Sequence, residues 1–113
     1  MALFFKTDNP EKLLKEFKLA VAEGRVSSWI CDADGDFTLT LELWKNKAWL
    51  KPKIEIGGLT LNLIRPKKAN ITSQVYAAFH GRFIQTMLIH CDELFSECLA
   101  SALPKGKDDV SGE

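Results

Sequence analysis

The sequence predicts an α+β fold in the order α-β-β-β-β-α: a four-stranded antiparallel meander with both helices packed on one sheet face. Three observations predict it. Residues 28–65 fall into four runs of strand-like composition, at 28–31, 37–44, 49–56 and 59–65. The joints between them hold turn formers, in Asp34-Gly35, Asn46-Lys47 and Gly57-Gly58. A stretch with helical apolar spacing stands on either side.

Before the sheet, Leu3-Phe4-Phe5 is a short apolar lead, suited either to an added edge strand or to a place beneath the first helix. Asn9 is an N-cap, Pro10 fits the first helical position, and Glu11 complements the dipole. Leu13, Leu14, Phe17, Ala20 and Val21 form one apolar stripe, and Gly24 stops the helix, which spans about 10–23.

Turn placement sets the register of the meander. A two-residue turn at Asp34-Gly35 puts Ile30 opposite Leu39 and Trp29 opposite Thr40. One at Asn46-Lys47 pairs Trp44 with Trp49, and one at Gly57-Gly58 pairs Ile56 with Leu59. Side chains alternate, so each register sorts residues by parity. All three agree. Ile30, Phe37, Leu39, Leu41, Leu43, Leu50, Pro52, Ile54, Ile56, Leu59, Leu61 and Leu63 gather on a core face. Trp29, Trp44, Trp49, Lys51, Lys53, Glu42 and Glu55 gather on a solvated one.

After the sheet comes the basic connection Arg65-Pro66-Lys67-Lys68. A second helix starts near Asn70 or Thr72 and meets no breaker until Pro104. That is about 30 residues, or roughly 45–50 Å, against about 27 Å for an eight-residue strand. Its apolar arc, from Val75 to Leu99, is wider than a sheet-covering helix needs. The surplus predicts a homodimer through this long C-terminal helix. One globular domain is expected over 1–103, followed by a disordered polar tail over 104–113.

Composition narrows the function. With 46% hydrophobic and 27% charged residues, the chain reads as a water-soluble globular protein. Its formal net charge of zero gives no global pull toward nucleic acid or anionic membrane. No apolar run approaches a membrane span. The first residues lack the pattern of a signal peptide, and three cysteines without one point to the cytoplasm.

No catalytic constellation is found, and no cofactor or metal is expected. Asp32-Ala-Asp-Gly-Asp opens like a calcium loop, but the positions for the EF-hand glycine and bidentate glutamate hold Phe37 and Leu43. His80 and His90 lie ten residues apart on one predicted helix, about 15 Å, too far to share a ligand. Cys91 and Cys98 are too far apart on that helix for a disulfide. Nucleophile-elbow and phosphate-loop patterns are missing from the sequence.

Two readings of function remain. In the first the chain is a small non-enzymatic interaction protein, an adaptor or inhibitor, that binds a protein partner through Trp29, Trp44, Trp49, Lys51 and Lys53. Tryptophan is enriched at interface hot spots, and Lys51 and Lys53 are balanced by Glu42 and Glu55, which leaves a neutral face. In the second, Arg65, Lys67 and Lys68 before the second helix bind nucleic acid or another anion. The order helix, strands, lysine-opened helix is similar to that of double-stranded RNA-binding domains, in topology alone and with four strands instead of three.

Overall fold

The computed structural model describes residues 2–104 and 106–110. Its elements run β1 (Leu3–Lys6), α1 (Pro10–Ala22), β2 (Trp29–Cys31), β3 (Phe37–Leu39), β4 (Trp49–Glu55), β5 (Gly58–Ile64), α2 (Ser73–His90) and β6 (Glu97–Ala100). The six strands form one antiparallel sheet in the order β2-β3-β4-β5-β1-β6. The α+β class holds, with two helices and an antiparallel sheet. To the predicted meander the structure adds β1 and β6.

Local chemistry explains both helix starts. The Asn9 side chain accepts the Lys12 amide at 3.1 Å, with Pro10 in the first turn, and Gly24 at φ 79° closes the far end. Thr72 caps α2 by accepting the Val75 amide at 3.2 Å. Both helices lie on the same sheet face. Phe17 of α1 meets Phe37 and Phe83 edge to face, and Phe83 of α2 meets Phe5 and Trp29. Phe5, Phe17, Phe37, Phe79, Phe83 and Trp29 are fully buried, each phenylalanine worth about 1.5–3 kcal/mol of apolar burial.

The first turn differs from expectation by one residue, and the difference turns Trp29 over. The β2–β3 loop is not the dipeptide Asp34-Gly35 but the five residues 32–36. Asp32 Oδ1 accepts the amides of Asp34 and Asp36, each at 2.9 Å, and the Asp32 amide donates to the Asp36 carbonyl. Trp29 therefore pairs with Leu39, and Ile30 with Thr38. Trp29 lies in the core at 1% exposure, while Ile30, assigned to the core, is 43% exposed.

The middle turn is not a hairpin. Residues 40–48 leave the sheet, because Leu41–Lys45 closes a single helical turn with the Lys45 amide on the Leu41 carbonyl at 2.8 Å. Glu42, Leu43 and Lys45 are good helix formers, and Asn46 ends the turn at φ 57°. Leu41 and Leu43 are exposed, Trp44 is half-buried against the core, and Trp44 and Trp49 do not pair. Among the described residues, Phe37↔Leu50 is the one ladder pair between β3 and β4.

At the third turn the central pair is Ile56-Gly57, which shifts the register by two residues, so that Ile54 pairs with Leu59. An even shift keeps every side chain on its predicted face. Leu50, Leu59, Leu61 and Leu63 are buried as expected, although Ile54 is partly and Ile56 fully exposed. Gly58 is required for closeness rather than for turning. A Cβ there would collide with the Phe4 ring and come within 2.5 Å of the Phe5 carbonyl oxygen.

The predicted 30-residue helix ends at His90, after 18 residues. A turn at Cys91–Leu94 reverses the chain, and β6 returns along β1 with Phe4↔Leu99 and Phe5↔Cys98. Phe95 then packs edge to face on Phe5 at 5.1 Å. The helical surplus that argued for a homodimer does not exist. Within the tail, Asp108 to Val110 are hydrogen-bonded to Leu63, Arg65 and Ile71. Lys105 and residues 111–113, also in the predicted disordered tail, lie outside the described residues.

Candidate functional site

A candidate binding surface lies on β4. Trp49, Lys51 and Lys53 alternate along its outer surface, opposite Ile64, Asn62 and Thr60. Both lysines are exposed and Trp49 is half-buried. Glu55 continues the row. Its Oε1 lies 3.7 Å from Lys53 Nζ, and its Oε2 accepts the Thr60 hydroxyl. Trp29 and Trp44 do not belong here. The Trp29 indole points into the core and donates to Thr86 Oγ1 at 3.2 Å, while Trp44 sits in the 40–48 excursion. The five-residue tryptophan face of the sequence reading thus reduces to three residues on one strand.

That strand has an open side. The two-residue turn at Ile56-Gly57 makes Glu55 and Gly58 a hydrogen-bonded pair, so Glu55, Lys53 and Lys51 turn their backbone groups toward β5. Leu50, Pro52 and Ile54 turn theirs the other way. Phe37 takes the place beside Leu50, and beyond it no strand lies along β4 among the described residues. The Ile54 N–H and C=O and the Pro52 C=O face outward, and Pro52 has no N–H to leave unpaired.

Beside this edge, on the helical face, Leu14, Leu19 and Ala22 of α1 and Ile54 line a groove of about 460 Å³, rimmed by Glu11, Lys15 and Lys18. Leu19 is 40% and Ile54 39% exposed, and Ile56 at the adjoining turn is fully exposed. An unpaired strand edge next to an apolar groove has the geometry that can accept another strand.

The other candidates are accounted for by local structure. Carboxylate oxygens of Asp32, Asp34 and Asp36 come within 4.8 Å of one another. Asp32 uses its Oδ1 on two backbone amides, and burial, then Asp32, raises the Asp36 pKa. Arg65 is already engaged: its Nε meets Asp109 at 3.1 Å and its Nη1 donates to the carbonyls of Pro66 and Lys67. Lys67 and Lys68 remain exposed on the turn. His80 is buried, donates from Nδ1 to the Tyr76 carbonyl at 2.6 Å and stacks on Tyr76. Burial lowers its pKa. Burial also pushes the Cys98 thiol up to about 11, which leaves little of the nucleophilic thiolate at neutral pH.

No family model, curated protein or solved structure matches this chain. The site therefore rests on its own geometry. Sequence reasoning missed Ile54, Ile56, Leu14 and Leu19 as site residues, although one signal was present. Pro52 inside a strand marks an edge.

Proposed function

We propose that this protein is a non-enzymatic interaction module that binds an extended segment of a protein partner along the free edge of β4. One observation carries the reading: on the side away from β5, no strand among the described residues pairs with β4 beyond Leu50, next to an apolar groove on α1. Main-chain hydrogen bonds to Ile54 and Pro52 supply affinity, and the groove selects an apolar side chain at alternate positions of the segment. Lys51, Lys53 and Glu55 on the outer surface select charge. Three unpaired cysteines support a place in the cytoplasm. Among the described residues, no helix is long and apolar enough to cross a membrane. The nucleic-acid reading gains no support, since Arg65 is paired with Asp109.

The test is selection from a display library of random peptides, followed by titration against Ile54→Pro and Trp49→Ala variants. Ile54→Pro removes an outward N–H and leaves the β5 ladder intact. Enriched extended peptides that lose affinity at least about tenfold with Ile54→Pro support the reading. Enrichment of none, or binding indifferent to Ile54→Pro, refutes it.

A further inference from the structure

We infer that the strand received by β4 is the β4 of a second copy, paired antiparallel about a twofold axis through Ile54. This rests on the reading of β4 as a strand-binding edge and names its occupant. The open stretch fits the occupant in length. It runs from Pro52 to Ile56 and is closed at one end by Phe37 on Leu50 and at the other by the turn. In the Ile54-centred register the second copy's Gly57 falls opposite Lys51, where the stretch closes and a side chain would have least room.

Charge selects this register over its neighbours. Pairing about Ile54 sets each Lys53 opposite the other copy's Glu55, and Pro52 opposite Ile56. Pairing about Lys53 would set Lys53 against itself, and pairing about Pro52 would set Lys51 against Lys53 and leave no central N–H. Backbone groups agree with the charges. In the Ile54 register the two Ile54 residues exchange both N–H···O=C bonds, and each Ile56 N–H reaches a Pro52 carbonyl. Lys53 and Glu55, already 3.7 Å apart within one chain, become an alternating four-charge cluster across the axis.

Apolar surface completes the fit. An antiparallel extension of the sheet keeps both helical layers on one side, so the two α1 grooves face each other across the axis. Each Ile56, fully exposed in the single chain, then lies on the groove side of the other copy, beside Ile54 and toward Leu19. One exposed apolar side chain meets one open apolar groove, twice.

Sedimentation velocity across a concentration series tests the inference, with circular dichroism to verify folding of each variant. The wild type is expected to show a concentration-dependent dimer. Lys53→Glu and Glu55→Lys each replace two opposite-charge pairs with two like-charge pairs, and each raises the dissociation constant about tenfold or more. The double swap, Lys53→Glu with Glu55→Lys, restores dimerisation, whereas a register centred on Lys53 would not be restored. Ile54→Pro abolishes the dimer without disturbing charge. A monomer at every concentration overturns the inference, as does a dimer unaffected by these changes. A monomer that still binds display peptides at β4 refutes the second copy alone, and a monomer that binds none refutes the strand-binding reading as well.

Discussion

Trp29 gives the sharpest test of the fold. It is buried to 1% exposure, meets Phe79 at 5.6 Å and Phe83 at 5.1 Å, and donates to Thr86. Trp29→Ala removes a large core side chain and is expected to lower unfolding free energy by about 3–5 kcal/mol. Domains of this size have about 5–15 kcal/mol in total, so the midpoint in urea should fall by about a fifth or more. Trp29→Phe keeps a ring but removes the indole donor. Thr86→Val removes the acceptor of the indole together with the bond the Thr86 hydroxyl donates to the Arg82 carbonyl at 2.8 Å, so the indole bond is separated only by combining the two changes. A double-mutant cycle between positions 29 and 86 should give a coupling of about 0.5–1.5 kcal/mol. The assay is urea unfolding followed by circular dichroism, with acrylamide quenching of tryptophan emission as a second readout. Trp29→Phe should remove the component most shielded from quencher. A surface tryptophan would cost within about 0.5 kcal/mol. Trp29→Ala within about 1 kcal/mol of wild type would show that the β2–β3 loop has been placed wrongly.

Other predictions follow from packing and burial. Gly58→Ala should destabilise by about 1–3 kcal/mol in the same urea assay, because the added methyl meets the Phe4 ring and a backbone oxygen. Unchanged stability would mean that Phe4 does not cover this glycine. His80 binds its proton less readily when folded, so the unfolded chain protonates first as pH falls below about 6.5. Stability should therefore be flat above that pH and decline from there down to the lowered native pKa. Melting curves at pH 7.5 and 5.5 should show a smaller difference in His80→Gln than in wild type. In native protein, Cys31 is exposed while Cys91 is buried and Cys98 half-buried. Mass spectrometry after brief alkylation at pH 8 should find the label on Cys31, with Cys91 and Cys98 labelled only upon unfolding.

What could be read from the sequence was what local chemistry decides. Helix α1 was legible because Asn9, Pro10 and Gly24 act on their own neighbours. The faces of β4 and β5 were legible because a turn displaced by one residue moves the register by two, which preserves parity. Trp29 was not legible, since its face depends on which amides the Asp32 carboxylate accepts. Residues 40–48 carry a pattern that serves a strand or a helical turn equally well, and Asn46 settles the matter through its conformation. Strand β6 has no local signal at all. Residues 97–100 continue a helical periodicity, and only the unpaired edge of β1 draws them out of it. The β4 site escaped notice for a related reason: an open edge is a property of what fails to lie beside a strand.

The placement of β1 has a consequence for synthesis. Leu3 pairs with Ala100 and Lys6 with Glu97, so one strand waits for a partner made far later. At about 5–20 residues per second the delay on the ribosome is on the order of 5–20 s. Throughout it the greasy triplet Leu3-Phe4-Phe5 has at least one flank unclosed, both until β5 is made and then the one that Phe95 and β6 will cover. A nascent chain in that state is a natural client for chaperones that hold apolar segments, and its release should coincide with the emergence of residues 97–100.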